Sequence, residues 1–83
     1  LGLHTRYSAM IVNKASEIES KYKVKLYIKK ESYTDWLGIS MLAILSLKVL
    51  PNESILIGSK NEGMIEKLAV QSLLEFIDKN IGK

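Results

Sequence analysis

The sequence contains no cysteine, and in 83 residues it has one proline, one histidine, one tryptophan and one phenylalanine. Without cysteine there can be no disulfide, thiolate nucleophile or cysteine-ligated metal, so stability rests on packing and a reducing compartment is the expected setting. A single histidine with no neighbouring serine, cysteine or carboxylate constellation makes neither a catalytic triad nor a metal site. No metal, no cofactor and no independent turnover are therefore expected. No apolar run reaches the roughly 18 residues that span a bilayer, and no signal peptide is recognisable, so a cytoplasmic location without membrane insertion is expected. The first residue is Leu1, which leads us to expect a chain that was processed, trimmed or taken from something longer.

What is present suffices for one domain: 47% of the residues are hydrophobic, enough for a real core. The net charge of +3 comes from 12 Lys and Arg against 9 Asp and Glu, a modest excess suited to acidic protein partners or phosphorylated species. Lys21, Lys23, Lys25, Lys29 and Lys30 form the one local concentration. They fall at a helix end and along an alternating strand, which reads as a solvated surface and not as a nucleic-acid interface.

Residues 5–21 read as a helix, because Tyr7, Ile11, Ala15, Ile18 and Tyr22 recur at helical spacing, with Glu17 and Lys21 placed to pair on the solvent side. Residues 24–28 alternate Val24, Leu26 and Ile28 against Lys25 and Tyr27, the pattern of a half-buried strand. A turn over 29–32 leads to a second strand over 33–37, where Trp36 reads as an anchor of the core or the edge in preference to a ligand platform. Gly38 and Ile39 break it, and Ser40 caps a short helix over 41–47. That helix is apolar all round, so Met41, Leu42 and Leu45 form an exposed partner-docking patch or lie under a neighbouring loop.

Pro51, Asn52 and Glu53 make a turn, residues 54–57 a short strand ended by Gly58, and Ser59 or Asn61 caps a last helix. Its apolar face, Ile65, Leu68, Ala69, Leu73, Phe76 and Ile77, runs to about Asn80, with Val70, Leu74 and Ile81 partly off it. Three strands make a thin sheet for two substantial helices. A further strand is expected from residues upstream of Leu1 or from a partner chain.

The chemistry points to the start of the first helix, where His4 stands two residues before Arg6. The first-turn N–H groups lack carbonyl partners and the helix dipole is positive there, so a phosphoryl group on His4 would meet donors and the Arg6 guanidinium. An isolated histidine in this place can equally be a surface residue that caps the helix.

Two motifs decide between these. Gly2-Leu3-His4-Thr5-Arg6, followed by Ser8-Ala9, resembles the phosphorylation-site signature of HPr, the histidine phosphocarrier of the bacterial sugar phosphotransferase system. The segment Ser40-Met41-Leu42-Ala43-Ile44-Leu45-Ser46-Leu47 is similar to the regulatory-serine segment of its Gram-positive-type members. The resemblance implies an α+β fold: an HPr-like open-faced β-sandwich, βαββαβα, with an antiparallel sheet covered on one face by three helices. Residues 1–83 would be one such domain lacking the first strand, so a strand-swapped dimer is a further expectation.

By that resemblance His4 is the phosphoacceptor, charged by Enzyme I and discharged to sugar-specific acceptor domains. Arg6 and the amides of Thr5 and Arg6 bind the phosphate. Ser40 is the target of HPr kinase, favouring a complex with a catabolite control protein, and Met41, Leu42 and Leu45 dock the partners. The chain departs from the family pattern in four ways. Tyr7 stands for proline, Lys48 stands for the glycine usual after the short helix, Ile39 precedes Ser40 where a polar residue is common, and the spacing from His4 to Ser40 is a few residues longer. Two other readings are a regulatory binding protein acting through Ser40 without sugar-directed transfer, and a small interaction domain using its short helix.

Overall fold

Ile11, Ala15 and Ile18 are all buried, and this stripe at spacings of four and three seats the first helix, α1 (Thr5–Tyr22), on the core. The computed structural model describes residues 5–81. After α1 come β1 (Tyr27–Lys30), β2 (Leu37–Gly38), α2 (Met41–Leu47), β3 (Ile55–Gly58) and α3 (Met64–Asn80). The strands form an antiparallel sheet in the order β2-β1-β3. Leu26, Ile28 and Ile57 point from it into a core shared with α1, Ile44 and Leu47 of α2, and Ala69 and Leu73 of α3. Three helices on one face of an open antiparallel sheet are the α+β architecture expected of an HPr-like chain.

Several local expectations are corrected. The alternation over 24–28 has the right faces, with Leu26 and Ile28 buried, but the ladder itself runs from Tyr27 to Lys30 because β3 supplies partners from Gly58 to Ile55 only there. Leu26 is held from the other side, its N–H donating to Glu19 Oε2 at 2.7 Å. Residues 33–36 are exposed and outside the sheet; the second strand is Leu37–Gly38 alone, so Gly38 is part of the ladder and not its break. Glu17 pairs with Lys14 at 3.1 Å and not with Lys21. Neither Ser59 nor Asn61 caps α3: the cap is Gly63, without a side-chain bond, and the Ser59 hydroxyl donates to the Asn61 carbonyl at 2.7 Å.

On α3 the apolar face is wider than its cover. Ala69 and Leu73 are fully buried, whereas Ile65 and Leu68 are each half exposed. Ile81, expected to lie partly off the face, belongs to the core. Among the described residues β3 is the last strand of the sheet, so its outer edge carries no ladder partner there.

Candidate functional site

The helix mouth lies where the sequence puts it, for α1 begins at Thr5. His4 itself lies outside the described residues, as do Leu1, Gly2 and Leu3. Thr5 and Arg6 are both exposed, and the first turn contains no acidic residue. The positive pole of an 18-residue helix is thus uncompensated within its own first turn and is reinforced by a guanidinium. Arg6 is turned toward its neighbour: its guanidinium carbon lies 5.2 Å from the centroid of the Tyr7 ring, within cation–π range.

Ser8, read in the sequence only as part of the motif, is fully buried, and its hydroxyl has no hydrogen-bond partner among the described residues. The signal was available in the spacing, since positions 8, 11, 15 and 18 form one continuous helical stripe. A small residue lets the first turn of α1 lie close on the core beneath it.

Ser40 performs the capping role expected of it. Its backbone is extended (φ −156°, ψ 165°), and its hydroxyl accepts the Ala43 N–H at 3.0 Å. Ile39, the departure before it, is buried together with Ile44, five residues on. That is the arrangement of a hydrophobic staple, which sets the angle at which the chain enters the helix and accounts for an apolar residue there. With Ile44 and Leu47 turned inward, Leu42 is 80% exposed and Leu45 is also exposed, while Met41 is half-buried. The expected docking residues thus form an outward ridge centred on Leu42, with no loop over Leu42 among the described residues. Lys48 closes the helix in the left-handed conformation (φ 51°), its N–H donating to the Leu45 carbonyl at 3.3 Å. That is a backbone state glycine adopts without a Cβ penalty.

One charged pair escaped the sequence reading. Lys30, grouped above with solvated lysines, is almost fully buried, and its ammonium donates to Glu53 Oε1 and Oε2 at 3.1 and 3.3 Å. Glu53 Oε1 also accepts the Leu50 N–H at 2.7 Å. The Leu50 N–H and then Lys30 hold the Glu53 carboxyl below its ordinary range, and the bond to Glu53 raises Lys30 against the opposing effect of burial. Twenty-three residues separate the two, so no local pattern announces the pair. It clasps the end of β1 to the turn before β3.

Among the described residues no three His, Asp or Glu side chains gather as a metal site, and no helix is long and apolar enough to cross a membrane. The family model for the PTS HPr component phosphorylation site matches residues 1–79. The chain belongs to the HPr family. Its fold is also similar to the crystal structure of HPr-C-His from Thermoanaerobacter tengcongensis: 26% identity, TM-score 0.69, covering 99% of this chain and 84% of that one. Among curated proteins none matches the chain. As a member of the HPr family it is a phosphocarrier of the phosphotransferase system, whose partners include Enzyme I and sugar-specific components. In this HPr chain two departures from the family pattern acquire physical content: Tyr7 gives Arg6 a ring to rest on, and Lys48 occupies a left-handed position.

Proposed function

We propose that His4 is the phosphorylated residue of this HPr chain and that Arg6 attends the transfer. What carries the proposal is the match to the phosphorylation-site family over residues 1–79, together with an α1 first turn that offers Arg6 and no carboxylate. A neutral imidazole is the nucleophile, and the positive helix end disfavours its protonation. One imidazole nitrogen, Nδ1 by family resemblance, attacks phosphorus in line. The N–P bond of the Enzyme I phosphohistidine breaks as the new N–P bond forms, and the acceptor domain later reverses the roles. Arg6 and the Thr5 and Arg6 amides meet the charge on the equatorial oxygens.

Ser40 is the regulatory site of the same proposal, phosphorylated by HPr kinase. A phosphate in the place of its capping hydroxyl gains from the helix end and carries charge beside the Leu42 and Leu45 ridge, where partners dock, and it favours association with a catabolite control protein. The half-exposed Ile65 and Leu68 of α3, and an outer edge of β3 without a ladder partner among the described residues, support a fourth strand, from an upstream segment or, in a swapped dimer, from a second copy. The Arg6–Tyr7 contact favours a second reading, a regulatory binding protein that works through Ser40 without sugar-directed transfer, since an occupied arginine is less available to a phosphate.

Incubation with phosphoenolpyruvate and Enzyme I tests the first reading. Acid-labile phosphate is expected on the wild type and none on His4→Ala; equal labelling of both, or of neither, removes the carrier role. Acid-stable phosphate introduced by HPr kinase and ATP should disappear in Ser40→Ala.

A further inference from the structure

The face of the sheet turned away from the helices is built around Tyr27. In the antiparallel register Tyr27 stands directly opposite Gly38 on β2 and Gly58 on β3. Opposed residues share a face, so the phenol ring rises between two positions that have no side chain. Trp36 reaches across one of them: a Cβ added to Gly58 would lie 3.1 Å from the Trp36 indole. The aliphatic stem of Lys25 covers the other, its Cε 3.3 Å from a Cβ added to Gly38.

Both aromatic residues line a cleft of about 280 Å³, completed by Ser59 and Lys60. Trp36 remains 45% exposed. The Lys60 ammonium stands 5.8 Å from the Tyr27 ring centroid. A second hollow of about 170 Å³ adjoins, sharing Ser59 and Lys60 and adding Lys23, Lys25, Asn61 and Glu66. An aromatic slot therefore continues into a rim of three lysines and one carboxylate, with Lys25 also 3.9 Å from Glu19 Oε2.

We propose that this cleft binds a nucleotide, with its base against Tyr27 and Trp36 and its phosphates on Lys60, Lys25 and Lys23. Planar bases stack on aromatic side chains regardless of sequence, and phosphates suit clustered ammonium groups. A neutral sugar would use the rings and leave the lysines idle. A nucleic-acid strand needs successive platforms with cations tracking the backbone, whereas here there is a single aromatic slot, with the Lys60 ammonium near Tyr27 and the Lys29 ammonium 5.6 Å from the Trp36 ring centroid. The glycine at 58 contributes to the shape, because a Cβ there would crowd the Trp36 ring that forms one wall and require it to give by a few tenths of an ångström.

The cleft is remote from the transfer site. Tyr27 follows the C-terminus of α1 by five residues, and Leu26 is tied to Glu19 near that end, while Arg6 lies in the first turn of an 18-residue helix about 27 Å long. Occupancy of the cleft and phosphorylation of His4 are thus separately measurable.

Trp36 is the single tryptophan, so its fluorescence reports the slot directly. Titration with ATP is expected to change the emission saturably, with a Kd of about 1 mM or tighter, and tripolyphosphate is expected to leave it unchanged. Adenosine should bind more weakly than ATP. Lys60→Glu, a change at an exposed position, should weaken ATP binding about tenfold or more, and Tyr27→Leu, checked for folding by circular dichroism, should weaken both ATP and adenosine. The proposal is overturned by an unsaturable response to ATP, by an equal response to tripolyphosphate, or by undiminished binding in Lys60→Glu. Tighter binding of a short single-stranded oligonucleotide than of ATP would overturn the assignment to a free nucleotide.

Discussion

The Arg6 guanidinium rests 5.2 Å from the centroid of the Tyr7 ring in the first turn of α1, so the cation proposed to attend the transfer is already engaged with an aromatic face. A partly exposed contact of this kind is worth about 0.5–1 kcal/mol. Replacing Tyr7 by Leu keeps an apolar body against the core and releases the guanidinium. Acceptance of phosphate from Enzyme I should then speed up about two- to fivefold, the rate equivalent of that energy. Arg6→Ala should slow it. Rapid-quench labelling distinguishes these outcomes, and an unchanged rate in Tyr7→Leu would show that Arg6 leaves the ring at no cost.

Ser40 and Leu42 separate stability from recognition on α2. Ser40→Ala removes the acceptor of the Ala43 N–H and should cost about 1 kcal/mol, lowering Tm by about 4–8 °C, while Ser40→Asp retains a capping oxygen and most of the stability. Leu42→Glu, on a side chain 80% exposed, should leave Tm nearly unchanged yet depress Enzyme I-dependent phosphorylation. Thermal denaturation and labelling on the same variants provide both readings.

Lys48 holds a left-handed backbone, which costs a residue with a Cβ about 1–2 kcal/mol relative to its ordinary conformations. Glycine escapes that cost but loses more entropy on folding. The balance favours Lys48→Gly by about 0.5–1 kcal/mol, visible as a higher midpoint in urea with an unchanged slope. Lys48→Val should move the midpoint the other way, since a β-branched residue tolerates this conformation least.

The Lys30–Glu53 clasp should shape the pH dependence of stability. Glu53 is depressed below its ordinary 4.5, so its contribution is complete above that value and is lost as pH falls through the lower folded-state value. Lys30 is raised above its ordinary 10.5, so its contribution is complete below that value and is lost as pH rises through the higher folded-state value. Urea midpoints should therefore fall on both the acid and the alkaline side of a plateau. Glu53→Gln should lower the plateau and flatten the acid limb, and an acid limb identical to the wild type would show that other carboxylates produce it.

Much of the candidate site was legible because its signals are local. The start of α1 and the cap at Ser40 depend on residues within one turn of each other, and a helix presents the same periodicity wherever it packs, whereas the outward position of Leu42 was left open by a helix apolar all round. The strands were less legible. Their faces followed from alternation, but the ends of β1 and the shortness of β2 depend on which residues of β3 and β1 lie opposite. Lys30 looked solvated because its burial is decided by Glu53, far along the chain.

By itself the sequence determined the order of elements, the inward stripe of α1, the single-domain size, and the resemblance to the HPr family. Each of these follows from composition, from spacing or from motifs of a few residues. Only the tertiary structure decided that Lys30 is enclosed, that Trp36 lies over Gly58 beside Tyr27, and that Ile65 and Leu68 stay half exposed. The physical reason is common to all three. An apolar or charged side chain states its own preference for water, but whether that preference is met depends on what the fold brings against it.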